Sequence, residues 1–235
     1  MKKYKYLIFD LDDTLLDFKD TEIKALELLF SKYDIPFEKD SVEKYRAINR
    51  RFWCDLEKGL VTKEEVLCNR FEEFFKIYGY DIKGRVVEDD YRKYLNEGHK
   101  KLPNATELLE YLKDNDYKIL AGTNGLGETQ RRRLKDSGLI GLFDDLFISE
   151  EMGFEKPNVN FYKIIFDKYD DITKANALMI GDSLTSDIQG ACNFGIDSVW
   201  FNPLGKEAST VKPTYEISEL MELLSIVNKE ASVNA

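Results

Sequence analysis

With 235 residues and 43% hydrophobic side chains, the chain can form one large domain or a core with a sizeable insertion, and it should bury about 70% of its unfolded surface without disulfides. Its 44 acidic residues against 34 basic ones leave a net charge of -10, the wrong sign for a nucleic-acid backbone or an anionic membrane surface. An anionic small substrate would therefore need a local positive charge or a bound cation to hold it.

The first apolar run, residues 5–9, stops at Asp10 and is too short for a signal-peptide core or a membrane span. It reads as a buried strand ending in the acidic turn Asp10-Leu11-Asp12-Asp13-Thr14, and the expectation is a soluble, cytoplasmic protein. Residues 18–100 contain no strand pattern and are dense in Glu, Lys, Leu, Phe and Tyr at helical spacing, which predicts an all-helical insertion after the first strand. Within it, a helix over 43–57 puts Tyr45, Ile48, Phe52 and Leu56 on a buried stripe, with Asn49 and Trp53 at i and i+4 beside it. Asn49 suits hydrogen bonding, and Trp53, apolar with a polar tip, suits ligand stacking or core packing equally. Arg70 lies four residues from both Val66 and Phe74, inside an apolar face, so it must pair internally or meet an anion.

Lys101-Leu102-Pro103-Asn104 marks the return linker, with Pro at a helix start and His99 just before it as a structural residue. Four further apolar runs follow, over 118–122, 146–149, 177–181 and 198–201, separated by helical stretches over 127–137, 159–169 and 184–194. Arg131-Arg132-Arg133 in the first of these stretches reads as a solvated face, from which one side chain could approach a phosphate. The alternation predicts a doubly wound, Rossmann-like parallel α/β sheet built from residues 1–17 and 101–235. Cys54, Cys68 and Cys192 lack any CxxC pair and read as small buried hydrophobes; the tail, 230–235, is small and polar and should fray.

In an open parallel sheet, ligands bind beyond the carboxyl ends of the strands, so the polar residues there should converge. In chain order they are Asp10 and Asp12, then Thr123-Asn124-Gly125, then Lys156-Pro157, then Gly181-Asp182-Ser183 with Asp187. Alone, the Asp10, Thr123 and Gly181 segments are also good turns or helix caps, and Lys156 could be merely solvated. Together they form a cluster of like charges, costly unless protons, Lys156 or a metal compensates. Oxygen ligands without nearby His or Cys suit Mg²⁺, with Mn²⁺ as the alternative, bound together with a substrate phosphate. A lone histidine gives Ser-His-Asp catalysis no material, so the chemistry must run on carboxylates, Lys and hydroxyls.

The set Asp10-Leu11-Asp12-Asp13-Thr14, Thr123-Asn124-Gly125, Lys156-Pro157 and Gly181-Asp182-Ser183-Leu184-Thr185-Ser186-Asp187 resembles the four motifs of the haloacid dehalogenase superfamily, and the insertion is placed like that superfamily's first type of cap. Tyr45-Arg46-Ala47-Ile48-Asn49, Trp53, Asn69-Arg70-Phe71-Glu72 and Ile148-Ser149-Glu150-Glu151-Met152-Gly153 are similar to bacterial pyrimidine 5'-nucleotidases, which dephosphorylate nucleoside monophosphates, noncanonical ones among them. The resemblance implies Asp10 as nucleophile and Asp12 as general acid and base. It further implies Mg²⁺ held by Asp10, Asp182 and the main-chain carbonyl of Asp12, with Asp187 supporting from behind. Thr123 and the following amide would donate to the phosphoryl oxygens, and Lys156 would balance charge. Asn124, Asn49, Trp53 and Arg70 complete the expected substrate-binding set. Dehalogenases of the superfamily generally lack the second acid, because a halide leaves without a proton, so Asp12 favours phosphate transfer.

The expected partner is thus a small phosphate ester, with no nucleic-acid polymer or membrane, and monomer and homodimer are equally compatible. A sugar-phosphate phosphatase or phosphoglucomutase would share every core residue and differ only in the insertion. A phospho-receiver domain shares an acidic pocket, Thr and Lys, but carries its phosphoacceptor after a later strand and lacks such an insertion. A catalytically silent binding protein is disfavoured by the intact set of acids.

Overall fold

The computed structural model describes residues 3–208 and 211–229; the tail expected to fray lies outside them. The chain divides into two compact units, Met1–Asp17 with Lys101–Ala235, and Phe18–Lys100.

The first unit opens with β1 (Tyr6–Phe9) and resumes after the excursion through the second. The exit and return are tied together, since Leu16 bridges Lys101 in antiparallel fashion and Leu102 N–H donates to Leu15 O at 2.9 Å.

The second unit is built from four helices: α1 (Phe18–Lys32), α2 (Lys39–Glu57), α3 (Lys63–Ile77) and α4 (Gly84–Leu95). Its packing runs α2 on α3, α3 on α4 and α4 on α1. Apolar residues at helical spacing, such as Leu26, Leu29 and Phe30 or Phe71, Phe74 and Phe75, supply the buried stripes. The core is largely aromatic: Phe30 stacks on Phe74 with centroids 5.0 Å apart, and Tyr45 stacks on Phe71 at 5.4 Å. Thr62 starts α3 with a reciprocal capping box to Glu65. The stripe expected on α2 is fully buried at Tyr45 and Ile48 and only half-buried at Phe52 and Leu56.

In the first unit, the remaining elements are α5 (Ala105–Asp114), β2 (Lys118–Thr123), α6 (Gly127–Asp136), β3 (Asp145–Ile148), α7 (Ser149–Met152), α8 (Val159–Asp167), β4 (Ala177–Gly181), α9 (Gln189–Phe194), β5 (Asp197–Phe201), β6 (Tyr215–Ile217) and α10 (Leu223–Val227). Among the described residues the six strands are all parallel, in the order β3-β2-β1-β4-β5-β6. Alternate side chains serve opposite layers. Leu7 and Phe9 join Ile119, Ala121, Leu178 and Ile180 beneath Leu108, Leu109 and Leu112 of α5, whereas Tyr6 and Ile8 join Leu120 and Met179 beneath Phe161 and Ile165 of α8. Helices on both faces make the sheet doubly wound, as the alternating pattern predicts.

Four details differ from the sequence expectation. The strand β6 escapes the pattern because three residues at a sheet edge, one of them Glu216, carry too little periodicity. Pro103 precedes α5 by two residues, and Asn104, in a left-handed conformation, occupies the cap. The helix expected from 184 opens as a π-helical turn over Leu184–Ile188, since both Asp187 N–H and Ile188 N–H reach back to Ser183 O at 3.1 Å. None of the cysteines is fully buried: Cys54 and Cys68 are half-exposed and Cys192 is exposed. Among the described residues no helix is long and apolar enough to cross a membrane.

Candidate active site

The strand order reverses at β1, which the chain leaves toward β2 and β3 on one side and, later, toward β4 and β5 on the other. A crevice opens beyond the carboxyl ends at such a switch point. Phe9 is in register with both Ala121 and Ile180, and Asp10 N–H continues the ladder to Ile180 O at 2.8 Å. Asp10 therefore leaves the sheet beside the end of β4. The following loop folds back on itself, with Leu15 and Leu16 N–H both donating to Leu11 O at 2.9 Å. Leu11, Leu15 and Leu16 are buried in the core and anchor the loop, and the buried Thr14 donates its hydroxyl to Asp10 Oδ2 at 3.4 Å.

Lys156, 1% exposed, sits between α7 and α8 and spends all three ammonium donors, on Asp10 Oδ1 at 2.7 Å, Asp187 Oδ1 at 2.6 Å and Gly122 O at 2.6 Å. Its backbone is held reciprocally by Asn124, whose Nδ2 donates to Lys156 O and whose Oδ1 accepts from Lys156 N–H, each at 2.8 Å. The side chain of Asn124, a residue of the expected substrate-binding set, thus braces the lysine loop. The other oxygen of Asp187 accepts from Ser183 N–H at 3.0 Å. Gly181 makes room for that carboxylate, since a Cβ there would lie 2.2 Å from Asp187 Oδ2. Trp200 of β5 donates its indole N–H to Asp182 O at 2.9 Å, and Tyr162 of α8 donates to Asp187 O at 3.3 Å.

Asp10, Asp182 and Asp187 offer carboxylate oxygens within 4.8 Å of one another, the one such cluster among the described residues. Burial pushes the Asp10 carboxyl up to about 7, with Asp187 and Asp12 adding to the rise and Lys156 opposing it. Burial alone would lower Lys156, but the facing carboxylates of Asp10 and Asp187 outweigh it and hold the ammonium above its ordinary range. Two acids sharing one lysine, with a third alongside, make a seat for a hard cation.

On the other flank, Thr123 is the last residue of β2, one position further into the strand than expected. Its Oγ accepts from Gly125 N–H at 3.0 Å and from Gln130 Nε2 at 2.9 Å. Gln130 Nε2 also donates to Asp12 Oδ2 at 2.7 Å, and Arg133 pairs with Asp12 Oδ1. The solvated-face reading of Arg131-Arg132-Arg133 is therefore corrected for its last member. Arg131 pairs with Glu151 and Arg132 with Asp136 near the surface, whereas Arg133 is 1% exposed. The available signal was the stripe Gln130, Arg133 and Leu134 at helical spacing on α6.

The remaining expected residues belong to the helical unit. Asn49 Oδ1 accepts from Trp53 Nε1 at 3.0 Å and from Arg70 Nη1 at 2.7 Å. Arg70 is 5% exposed and pairs with Glu88 at 2.6 Å, the internal ion pair that its apolar setting allowed. His99 is exposed, its ring nitrogen close to Glu97 O.

The haloacid dehalogenase-like hydrolase family matches residues 7–201, and the chain belongs to it: it is a hydrolase of that family. Among its relatives, the HAD-hydrolase YfnB of Bacillus subtilis is 40% identical over 235 residues, 100% of both chains. The crystal structure of YfnB, bound to magnesium and described as revealing interdomain movement, matches with a TM-score of 0.92 at 41% identity over 97% of this chain and 100% of that one. The pyrimidine 5'-nucleotidase PynA of Streptococcus pneumoniae is 39% identical over 227 residues, 96% of each chain. The pyrimidine 5'-nucleotidase YjjG of Escherichia coli is 30% identical over 228 residues, 97% of this chain and 99% of its own.

Proposed function

We propose that the chain is a divalent-metal-dependent phosphatase that hydrolyses nucleoside 5'-monophosphates, pyrimidine ones including noncanonical forms foremost, through an aspartyl-phosphate on Asp10. The observation that carries this reading is the buried Lys156 ammonium shared by Asp10 and Asp187 beside Asp182 at the strand ends. The names of PynA and YjjG, matched over nearly their whole length, support the nucleotide as substrate class.

The donor set fits Mg²⁺ or Mn²⁺, since carboxylate oxygens of Asp10 and Asp182 converge with no His or Cys in the cluster, and the main-chain carbonyl of Asp12 would complete the protein's ligands. Asp187 has both oxygens committed to Lys156 and Ser183, so its part is to steady the lysine. When bound, the cation supplies charge neutralisation for the phosphoryl group and holds it in line with the nucleophile.

Asp10 attacks phosphorus as the bond to the departing 5'-oxygen breaks, and Asp12 gives that oxygen its proton. Water then attacks the aspartyl-phosphate, Asp12 takes its proton, and the bond to Asp10 breaks to release orthophosphate. Lys156 offsets charge on nucleophile and phosphoryl oxygens, and Thr123 donates to an equatorial oxygen.

Reading of the nucleoside falls to the helical unit, the cap in this scheme. Asn49, its oxygen committed to Arg70 and Trp53, keeps its amide hydrogens for a carbonyl acceptor such as a pyrimidine presents. Arg70 acts through Asn49.

The test is phosphate release from UMP, dUMP, dTMP, 5-halogenated dUMP, purine monophosphates and sugar phosphates, with Mg²⁺ and with chelator, compared as kcat/KM. The expected result is a metal-dependent preference for the pyrimidine set. Preference for sugar phosphates overturns the substrate assignment, and no phosphate release from any ester overturns the phosphatase reading itself.

A further inference from the structure

Thr123 Oγ is an acceptor twice over, from Gly125 N–H at 3.0 Å and from Gln130 Nε2 at 2.9 Å. A hydroxyl has one hydrogen and two lone pairs, so with both lone pairs engaged its own O–H can only donate. The amide of Gln130 has its own orientation settled: Arg133 Nη1 donates to Gln130 Oε1 at 3.1 Å, turning the amide nitrogen toward Thr123 and Asp12. That nitrogen reaches Asp12 Oδ2 at 2.7 Å, while Arg133 takes the opposite carboxylate oxygen. Both residues are 1% exposed, and burial of a guanidinium and an amide is costly without such partners. The backbone is also shaped around this amide, because a Cβ on Gly125 would lie 2.3 Å from Gln130 Nε2.

We propose that Gln130, oriented by Arg133, is a positioning residue that makes Thr123 an obligate donor to a phosphoryl oxygen and holds the Asp12 carboxylate in step with it. One nitrogen thus serves both the group that binds phosphate and the group that handles the leaving-group proton. The proposal rests on the phosphatase reading of the same site, though not on the choice of nucleotide.

Gln130→Glu puts an oxygen where the nitrogen was, so the Thr123 hydrogen turns inward and Asp12 loses its donor. Gln130→Met keeps the volume, removes the amide and adds no charge, and it carries the test should the Glu variant unfold. Arg132→Ala, on the exposed side of the same helix, serves as the unchanged control. Three readouts are compared at saturating Mg²⁺: thermal midpoint, calorimetric affinity for orthophosphate, and kcat on an aryl phosphate against an alkyl one. A nitrophenolate leaves without a proton and an alkoxide does not, so the aryl-to-alkyl ratio reports on Asp12 separately from folding.

With the midpoint retained, both Gln130 variants should bind orthophosphate about 10-fold more weakly and lose about 100-fold in kcat on the aryl ester. The aryl-to-alkyl ratio should rise by about 10-fold. Folded variants with wild-type orthophosphate affinity and a wild-type ratio overturn the proposal. Wild-type protein that cleaves aryl and sugar phosphates but no nucleotide overturns the nucleotidase reading, and the Gln130 comparison is then decided on those esters.

Discussion

Lys156 at the strand ends and Arg70 in the helical unit are both buried cations, yet they are wired with opposite stoichiometry. One ammonium serves two carboxylates at the strand ends, Asp10 and Asp187. In the helical unit one carboxylate, Glu88, serves two guanidiniums, Arg70 and Arg92. The second arrangement vents its surplus charge through Arg92, which is partly exposed. The first has no such outlet within the pair: its acids lie against a third, Asp182, and the Asp10 carboxyl is driven upward. Burial of charge by itself therefore singles out no chemistry, whereas an imbalance held where the strand order reverses marks a candidate site.

The sharpest way to break this contrast is Lys156→Met, which leaves Asp10 and Asp187 facing each other. Turnover should fall by about 10,000-fold, comparable to losing a member of a catalytic unit, as should that of Asp10→Asn. Phosphate release at matched metal checks both, and activity within 10-fold of wild type in either would remove the residue from the chemistry.

Next, Arg70→Met should cost about 3 kcal/mol of stability by urea unfolding, since Glu88 loses a buried partner. Pairing it with Glu88→Leu should recover part of the loss. A single variant costing less than about 1 kcal/mol would show the pair to be no stronger than a surface bridge.

A pH comparison sharpens the other half. In metal-free protein the folded Asp10 carboxyl binds its proton more tightly than the unfolded chain does, rising from 3.8 to about 7. Its contribution to stability is full below about 4 and disappears as pH climbs through about 7. The urea midpoint of wild type, measured in chelator relative to Asp10→Asn, should fall across that window and flatten above it; a constant difference would contradict the raised carboxyl.

The smallest effect belongs to Trp200→Phe, which deletes the indole donor to Asp182 O while keeping an aromatic ring in the core. Loss of one such bond should weaken apparent Mg²⁺ activation by about 5-fold. An unaltered metal titration would make Trp200 a packing residue only.

Much of this architecture is legible in the sequence because short apolar runs that end in Asp, Thr or Gly announce both the strands and their functional ends. Once the strands are parallel, the order of the sheet brings Asp10 beside Asp182 without further information. Gln130 and Arg133 were harder to see, since their partner Asp12 is more than a hundred positions away and a run of three arginines looks like a solvated surface until the helix is rotated into place. The brace from the Asn124 side chain to the backbone of Lys156 is hidden for a similar reason, since main-chain groups leave no trace in composition. The strand β6 fails on length alone.

The tie of Leu16 to Lys101 and of Leu15 to Leu102 means that the chain departs for its helical excursion and comes home at the same place. Closing a loop across ends already held together is insensitive to what lies between, because the entropic cost grows only with the logarithm of its length. The excursion is thus a replaceable cassette: a short glycine-rich link from Asp17 to Lys101 would spare the sheet its strand order, and a foreign module with closely spaced ends could be spliced at the same point. For a lineage under selection, that junction lets the sequence between Phe18 and Lys100 change without moving the strands that carry Asp10 and Asp182.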